Sequence, residues 1–223
     1  MEETYPELIK FGFVFLLFLG GSALLGLTIR GGGDGPADGS GSARNQRLTA
    51  LNGLLLFVLL VAIALTVVDV RELLPEHYLA GFVLIPPLLL KFGSTGYRFF
   101  RYYAGSALYR QMGAPPAILR FIVAPVLVVS TLIVFASGLE LWLFGLRFGS
   151  VWILAHTLSA VVMMFAVSAH LVAHMGRSAH VLADEVSSRT STQSLIVAGL
   201  VAGAVLAVAS LLYASPFSAS VGG

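Results

Sequence analysis

Three of the five histidines in this 223-residue chain, His156, His170 and His174, fall within one stretch, HTLSAVVMMFAVSAHLVAH (156–174), that is otherwise lipid-soluble helix. An imidazole ligates metals through a ring nitrogen when neutral and changes charge near neutral pH, so its chemistry here is metal ligation or proton transfer. His156 and His170 are 14 residues apart, which on an α-helix is about 21 Å of rise and within about 40° of one face. His174 continues that stripe one turn further on, at i+4 from His170. A fourth histidine, His77, lies at the head of another apolar stretch. The chain has no cysteine, which excludes disulfides, thiolate metal sites, iron–sulfur ligation and covalent haem attachment through Cys-x-x-Cys-His. Any metal chemistry rests on histidine.

The elements that must position these rings are set by the solvent. With 57% hydrophobic and 11% charged residues, the composition is that of an integral membrane protein. The net charge of +2, with basic residues scattered rather than gathered in a stripe, argues against nucleic acid as a partner. A hydrocarbon core of about 30 Å needs about 20 apolar residues per helical span, and six stretches qualify: 9–29, 48–68, 77–96, 118–138, 151–175 and 193–213. The first follows MEETYPE, which lacks the positive n-region of a cleaved signal peptide, and is expected to be a permanent span. The segment RGGGDGPADGSGSARNQ (30–46) reads as a flexible linker. No internal repeat and no soluble domain is evident.

Six spans place linker 30–47, loop 91–120 and loop 176–192 on one side. That side carries ten basic residues: Arg30, Arg44, Arg47, Lys91, Arg98, Arg101, Arg110, Arg120, Arg177 and Arg189. The other carries Lys10, Arg71 and Arg147. The positive-inside rule therefore predicts a cytoplasmic location for the first group and extracytoplasmic termini, and eleven arginines against two lysines are associated with a GC-rich bacterial genome, so a bacterial cytoplasmic membrane is expected.

This topology makes spans 3 and 5 both begin outside, so His77 and His156 lie at similar depth. Two neutral imidazoles on facing helices at one depth suit six-coordinate ligation of a porphyrin iron, and the expectation is a haem b held by His77 and His156. An interfacial or hydrogen-bonding role for these rings, and ligation of another metal, are the alternatives. Gly81, one turn after His77, presents no side chain and would let a porphyrin edge approach the backbone. Pro86-Pro87 removes backbone donors in mid-span and predicts a kink. The run YRFFRYY (97–103) fits an interfacial belt with snorkelling arginines, and LELWLFGLRFGS (139–150) reads as an amphipathic segment on the outer surface.

The pair of histidines in HTLSAVVMMFAVSAH resembles the haem-bearing helix of bacterial membrane cytochrome b subunits, of the formate dehydrogenase and nickel–iron hydrogenase type. HYLAGFVLIPPLLLKFGSTGYRFFRYY followed by APPAILRFIVAPVLVVSTLIVFASG is similar to uncharacterised cytochrome-b-like membrane proteins of actinobacteria, over residues 75 to 176. The resemblance implies that His77 and His156 are the axial pair of an outer-side haem and that His170 ligates a second haem nearer the cytoplasm. The chain departs from that pattern. No second histidine stands at matching depth on spans 1 to 4 or 6, and the residue 14 beyond His77 is Lys91. A partner for His170 would have to be His174, His180 or another subunit's histidine, and His170 with His174 cannot sandwich one porphyrin because they share a helix face.

His170 and His174 share a depth with Lys91, Ser94, Thr95, Tyr97 and Arg98. These groups can donate hydrogen bonds to a quinone carbonyl and carry protons, as the resemblance also implies; a polar helix end wetted by headgroups is the other reading. The sequence thus predicts an all-α membrane protein of six transmembrane helices in a cytochrome-b-like bundle: two N-terminal helices with their linker (1–70), a three-helix core (71–176) and a C-terminal helix (177–223). The expected function is electron transfer between quinone and a redox partner protein, as the membrane subunit of an oxidoreductase complex. A cofactor-free structural subunit is the competing class. No catalytic triad, phosphate loop or nucleotide fingerprint is present.

Overall fold

The computed structural model describes residues 40–111, 113, 116–185 and 191–221, with backbone alone for 40–43, 175–185, 191 and 219–221. Every regular element among them is helical: α1 (Ser40–Thr66), α2 (Leu74–Tyr103), the short α3 (Ala107–Gln111), α4 (Ala124–Phe144), α5 (Val151–Glu185), α6 (Ser191–Ser210) and the terminal α7 (Pro216–Val221). A single 3₁₀ turn, Val67–Asp69, follows α1, and a π-helical turn, Leu119–Val123, leads into α4. Five helices are long and apolar enough to cross a membrane: Arg44–Asp69, Leu74–Tyr103, Leu119–Phe144, Val151–His174 and Thr192–Ser210. Large apolar side chains point outward along all of them, among them Leu89, Val129, Leu154 and Val205. In water such surface would drive aggregation; in lipid it is the solvated face. The protein is a membrane protein. The expected first span, 9–29, lies outside the described residues.

Four boundaries differ from those expected, the first being that α5 runs on to Glu185, into the expected loop 176–192. Ser40–Gln46, assigned to the linker, is already helical, because the apolar run of α1 gives the polar residues before it a helix to extend. The segment 91–120 is largely helix rather than loop, since α2 continues to Tyr103 and α3 follows. Leu139–Phe144 belongs to α4, so LELWLFGLRFGS is half helix and half turn rather than one surface segment. Gly145, at φ 61°, stops the helix, and its N–H bonds Leu141 O at 2.8 Å.

The chain divides into two compact units, one holding residues 115–175 of the described chain and the other 40–114 and 176–221. In the first, the turn 145–150 returns α5 along α4. Leu119, Val123 and Ala169 form its buried apolar cluster, with Ala173 packed against it.

In the second unit, α2 packs along α1 on one side and α6 on the other. Its centre is Pro87, among the most completely buried residues of the molecule. The helix runs through Pro86 and Pro87 without interruption, although each proline lacks the N–H that would have bonded the carbonyl four residues back. Helix α6 meets this segment with glycine. A Cβ on Gly199 would lie 3.9 Å from Pro87 N, and a Cβ on Gly203 would run into the Val83 carbonyl oxygen and stand 3.0 Å from Val83 Cα. Small residues one turn apart let the two backbones approach.

The α1–α2 side is sewn by polar groups in antiparallel register. Asn45 Nδ2 donates to Ser94 O at 3.1 Å, Lys91 Nζ to Thr49 O at 2.6 Å, and Asn52 Nδ2 to Pro87 O at 2.7 Å. Lys91 reaches its partner over Gly53, where a Cβ would stand 2.7 Å from Nζ. In a low-dielectric interior such bonds fix which helix faces meet.

Candidate histidine sites

His77 is the fourth residue of α2 and His156 the sixth of α5. They belong to different units, and the surroundings of each are clear within its own.

The His156 ring sits in a recess on α4. Its Nδ1 lies 3.0 Å from Val134 O and 3.3 Å from Ser137 Oγ. The Ser137 hydroxyl proton is directed at Ile133 O, 2.6 Å away, so the serine oxygen faces the ring as an acceptor. Two acceptors around Nδ1 require that nitrogen to carry the proton. His156 is therefore the Nδ1–H tautomer, with the lone pair on Nε2. Gly138 completes the recess: a Cβ there would be 3.0 Å from the ring's Cε1 and 3.2 Å from Nδ1. Ser137 itself is fully buried.

His77 is held by a hydroxyl instead of a carbonyl. Its Nδ1 is 2.8 Å from Thr66 Oγ1, and that hydroxyl lies 2.6 Å from Ile63 O. That hydroxyl has one proton to share between the ring nitrogen and the carbonyl oxygen. A histidine whose Nδ1–H is held by a carbonyl or hydroxyl, and whose Nε2 is basic, is in the form that ligates metal.

Gly81 lies one turn beyond His77, half-buried, with Ile63 Cδ1 3.9 Å from the position of a Cβ. Ile63 of α1 thus faces this glycine in ordinary contact.

His170 and His174 stack on one face of α5, ring centroids 4.6 Å apart and planes inclined by 56°. They adjoin Ala169 and Ala173, which pack on the π-helical turn of α4; π turns recur at functional sites. Arg120 of that turn lays its guanidinium 4.3 Å from the Phe121 ring centroid, and its buried Nε has no hydrogen-bond partner among the described residues. Lys91, Ser94, Thr95, Tyr97 and Arg98, expected at the same depth, lie in the other unit. Lys91 is engaged with Thr49 O and Ser94 is buried, its hydroxyl bonding Lys91 O at 3.1 Å. Thr95 and Tyr97 are exposed, and Tyr97 packs edge-on to Tyr109 at 6.1 Å. The side chain of His180 is outside the described residues. No group of three or more His, Asp or Glu side chains among the described residues could hold a metal ion.

The sequence reading passed over Glu140. It lies in the last turns of α4, i+3 from Ser137 and so on the same face one turn further along, and its two carboxylate oxygens are enclosed with no hydrogen-bond partner among the described residues. The signal is a lone carboxylate two residues beyond the expected span 118–138, inside the stretch expected to lie on the outer surface. Comparisons with protein-family models, with curated proteins and with solved structures gave no match, so the site stands on its own geometry.

Proposed function

We propose that the protein is a multi-pass b-type cytochrome that carries electrons between a quinone pool and a redox partner protein, with His77 and His156 as the axial ligands of at least one haem. The observation that carries this reading is that Nδ1 of each ring lies against an oxygen of its own unit, Thr66 Oγ1 for His77 and Val134 O for His156, as the outer nitrogen of a metal-ligating histidine does. Haem when bound supplies one-electron chemistry; the chain's part is to fix both ring planes and surround them with apolar helix. His170 and His174, paired in the second half of α5, are proposed as the quinone-facing or second-haem site. The distribution of basic residues supports a bacterial cytoplasmic membrane location with extracytoplasmic termini.

A second reading, a cofactor-free structural subunit of a larger membrane complex, draws on the second unit, where Asn45, Asn52 and Lys91 serve helix–helix hydrogen bonds. The visible spectrum of the full-length protein, purified from haem-supplied cells, separates the two. A Soret band with a sharp α band on reduction is expected, whereas a featureless spectrum refutes the cytochrome reading.

A further inference from the structure

Helices α1, α2 and α6 of the second unit share a register that can be followed to one end. Asn52 Nδ2 bonds Pro87 O, Lys91 Nζ bonds Thr49 O and Asn45 Nδ2 bonds Ser94 O, so α1 runs antiparallel to α2 with Asn45 level with Ser94. Gly203 lies against Val83 and Gly199 against Pro87, so α6 is also antiparallel to α2. Two helical turns further along, the same register brings Thr192 level with Ser94. The apolar spans of α1 and α6 begin at this level, at Arg44 and Thr192. The three helices therefore leave the hydrocarbon together here, while α2 continues to Tyr103.

Two cations flank that level on one face of α2. Lys91 stands about a turn inside Ser94 and Arg98 about a turn outside it. Both are half-buried, and each lies within electrostatic reach of the other. Neither has a carboxylate partner among the described residues. Of the three donors on its ammonium, Lys91 directs one at Thr49 O. Thr192 is 1% exposed, and its hydroxyl has no hydrogen-bond partner among the described residues. Like charges at the edge of lipid repel, and a buried hydroxyl without a partner costs free energy; one anion relieves both.

We infer that Lys91, Arg98 and Thr192 bind the phosphate of an anionic lipid headgroup. The two cations attract the phosphate, and the hydroxyl donates to one of its oxygens. The depth selects lipid as the source, because headgroup phosphates lie at the edge of the hydrocarbon, where this unit places the three residues. The inference is independent of haem.

Thermal unfolding of the full chain in neutral detergent, with added phosphatidylglycerol, phosphatidylcholine or inorganic phosphate, tests it. Phosphatidylglycerol should raise the unfolding midpoint saturably, and phosphatidylcholine, whose headgroup carries its own cation, should do so far less. Arg98→Gln should need about fivefold more phosphatidylglycerol for the same rise. Thr192→Val, which keeps the shape and removes the hydroxyl, should need about tenfold more. Without lipid it should unfold no lower than wild type, because the hydroxyl has no protein partner to lose; a residue that served only packing would not combine these two results. Lys91→Met should abolish the preference for phosphatidylglycerol. Where it does not fold, the other two variants carry the test, since neither alters the bond from Lys91 to Thr49. Equal rises with the two lipids, or a phosphatidylglycerol response unchanged in both Arg98→Gln and Thr192→Val, overturns the inference. An equal rise with inorganic phosphate at the concentration of the lipid overturns the lipid source and assigns the site to soluble phosphate.

Discussion

Gly203 of α6 lies directly against the peptide of Val83 on α2, so close that a side chain at 203 would collide with the Val83 carbonyl. Pro87 is the reason that carbonyl lacks its usual helical donor, four residues on. The double proline and the glycine are thus two halves of one contact, in which a Cα–H faces a carbonyl oxygen across two closely packed helices. Gly199, one turn away, stands in ordinary contact with Pro87.

Two glycines with the same spacing should therefore respond oppositely. Gly199→Ala should be neutral or stabilising, since alanine favours helix by up to about 1 kcal/mol. Gly203→Ala should cost about 1–3 kcal/mol, the usual range for overpacking a tight contact, and Gly203→Leu more. Thermal unfolding in detergent, followed by circular dichroism, checks both; equal responses would contradict the close approach.

Glu140 leads to a stability prediction. A carboxylate enclosed without a partner costs more than the isosteric amide, so Glu140→Gln should raise the unfolding midpoint in detergent, by about 1 kcal/mol of stability or more. A lower midpoint would mean that the carboxylate has a cationic partner beyond the described residues.

Gly138 makes room for the His156 ring, and a methyl there would press on Cε1 and Nδ1. On the proposed haem reading, Gly138→Ala should leave helix content intact while weakening haem binding about tenfold, at the low end for disturbing a ligand's support. Unchanged affinity with an unchanged low-spin spectrum would show that the recess does not set the ring's position.

Topology is testable without any cofactor. A reporter fused after Gly223 should behave as extracytoplasmic and one inserted within 31–46 as cytoplasmic, because ten of the 13 basic residues fall on one face of the expected arrangement. The reverse pattern would invert the orientation.

The spans were legible because lipid demands length and apolarity, and five of the six expected stretches coincide with described helices. Their ends were not, because Asn45 and Glu140 are polar residues that the helices nonetheless include. The packing was invisible for a different reason. Nothing in the spacing of Gly199 and Gly203 says that only one of them touches backbone. Lys91 read as a member of a polar cluster near His170 and His174, and only the register of α1 on α2 pairs it with Thr49, as it pairs Asn52 with Pro87. The histidines were found by type, but Thr66 and Ser137, which hold them, are ordinary membrane-helix residues far from periodic correspondence with His77 and His156.

The central claim is that His77 and His156 serve one iron. It is tested most directly by haem stoichiometry and the reduced-minus-oxidised spectrum of His77→Leu, His156→Leu and the double variant, each purified as the full chain. Each single change should lower occupancy of the low-spin haem, and the double change should be little worse than the more damaging single one, because members of one unit are not additive. Full haem content with an unchanged low-spin spectrum in either single variant would contradict the claim.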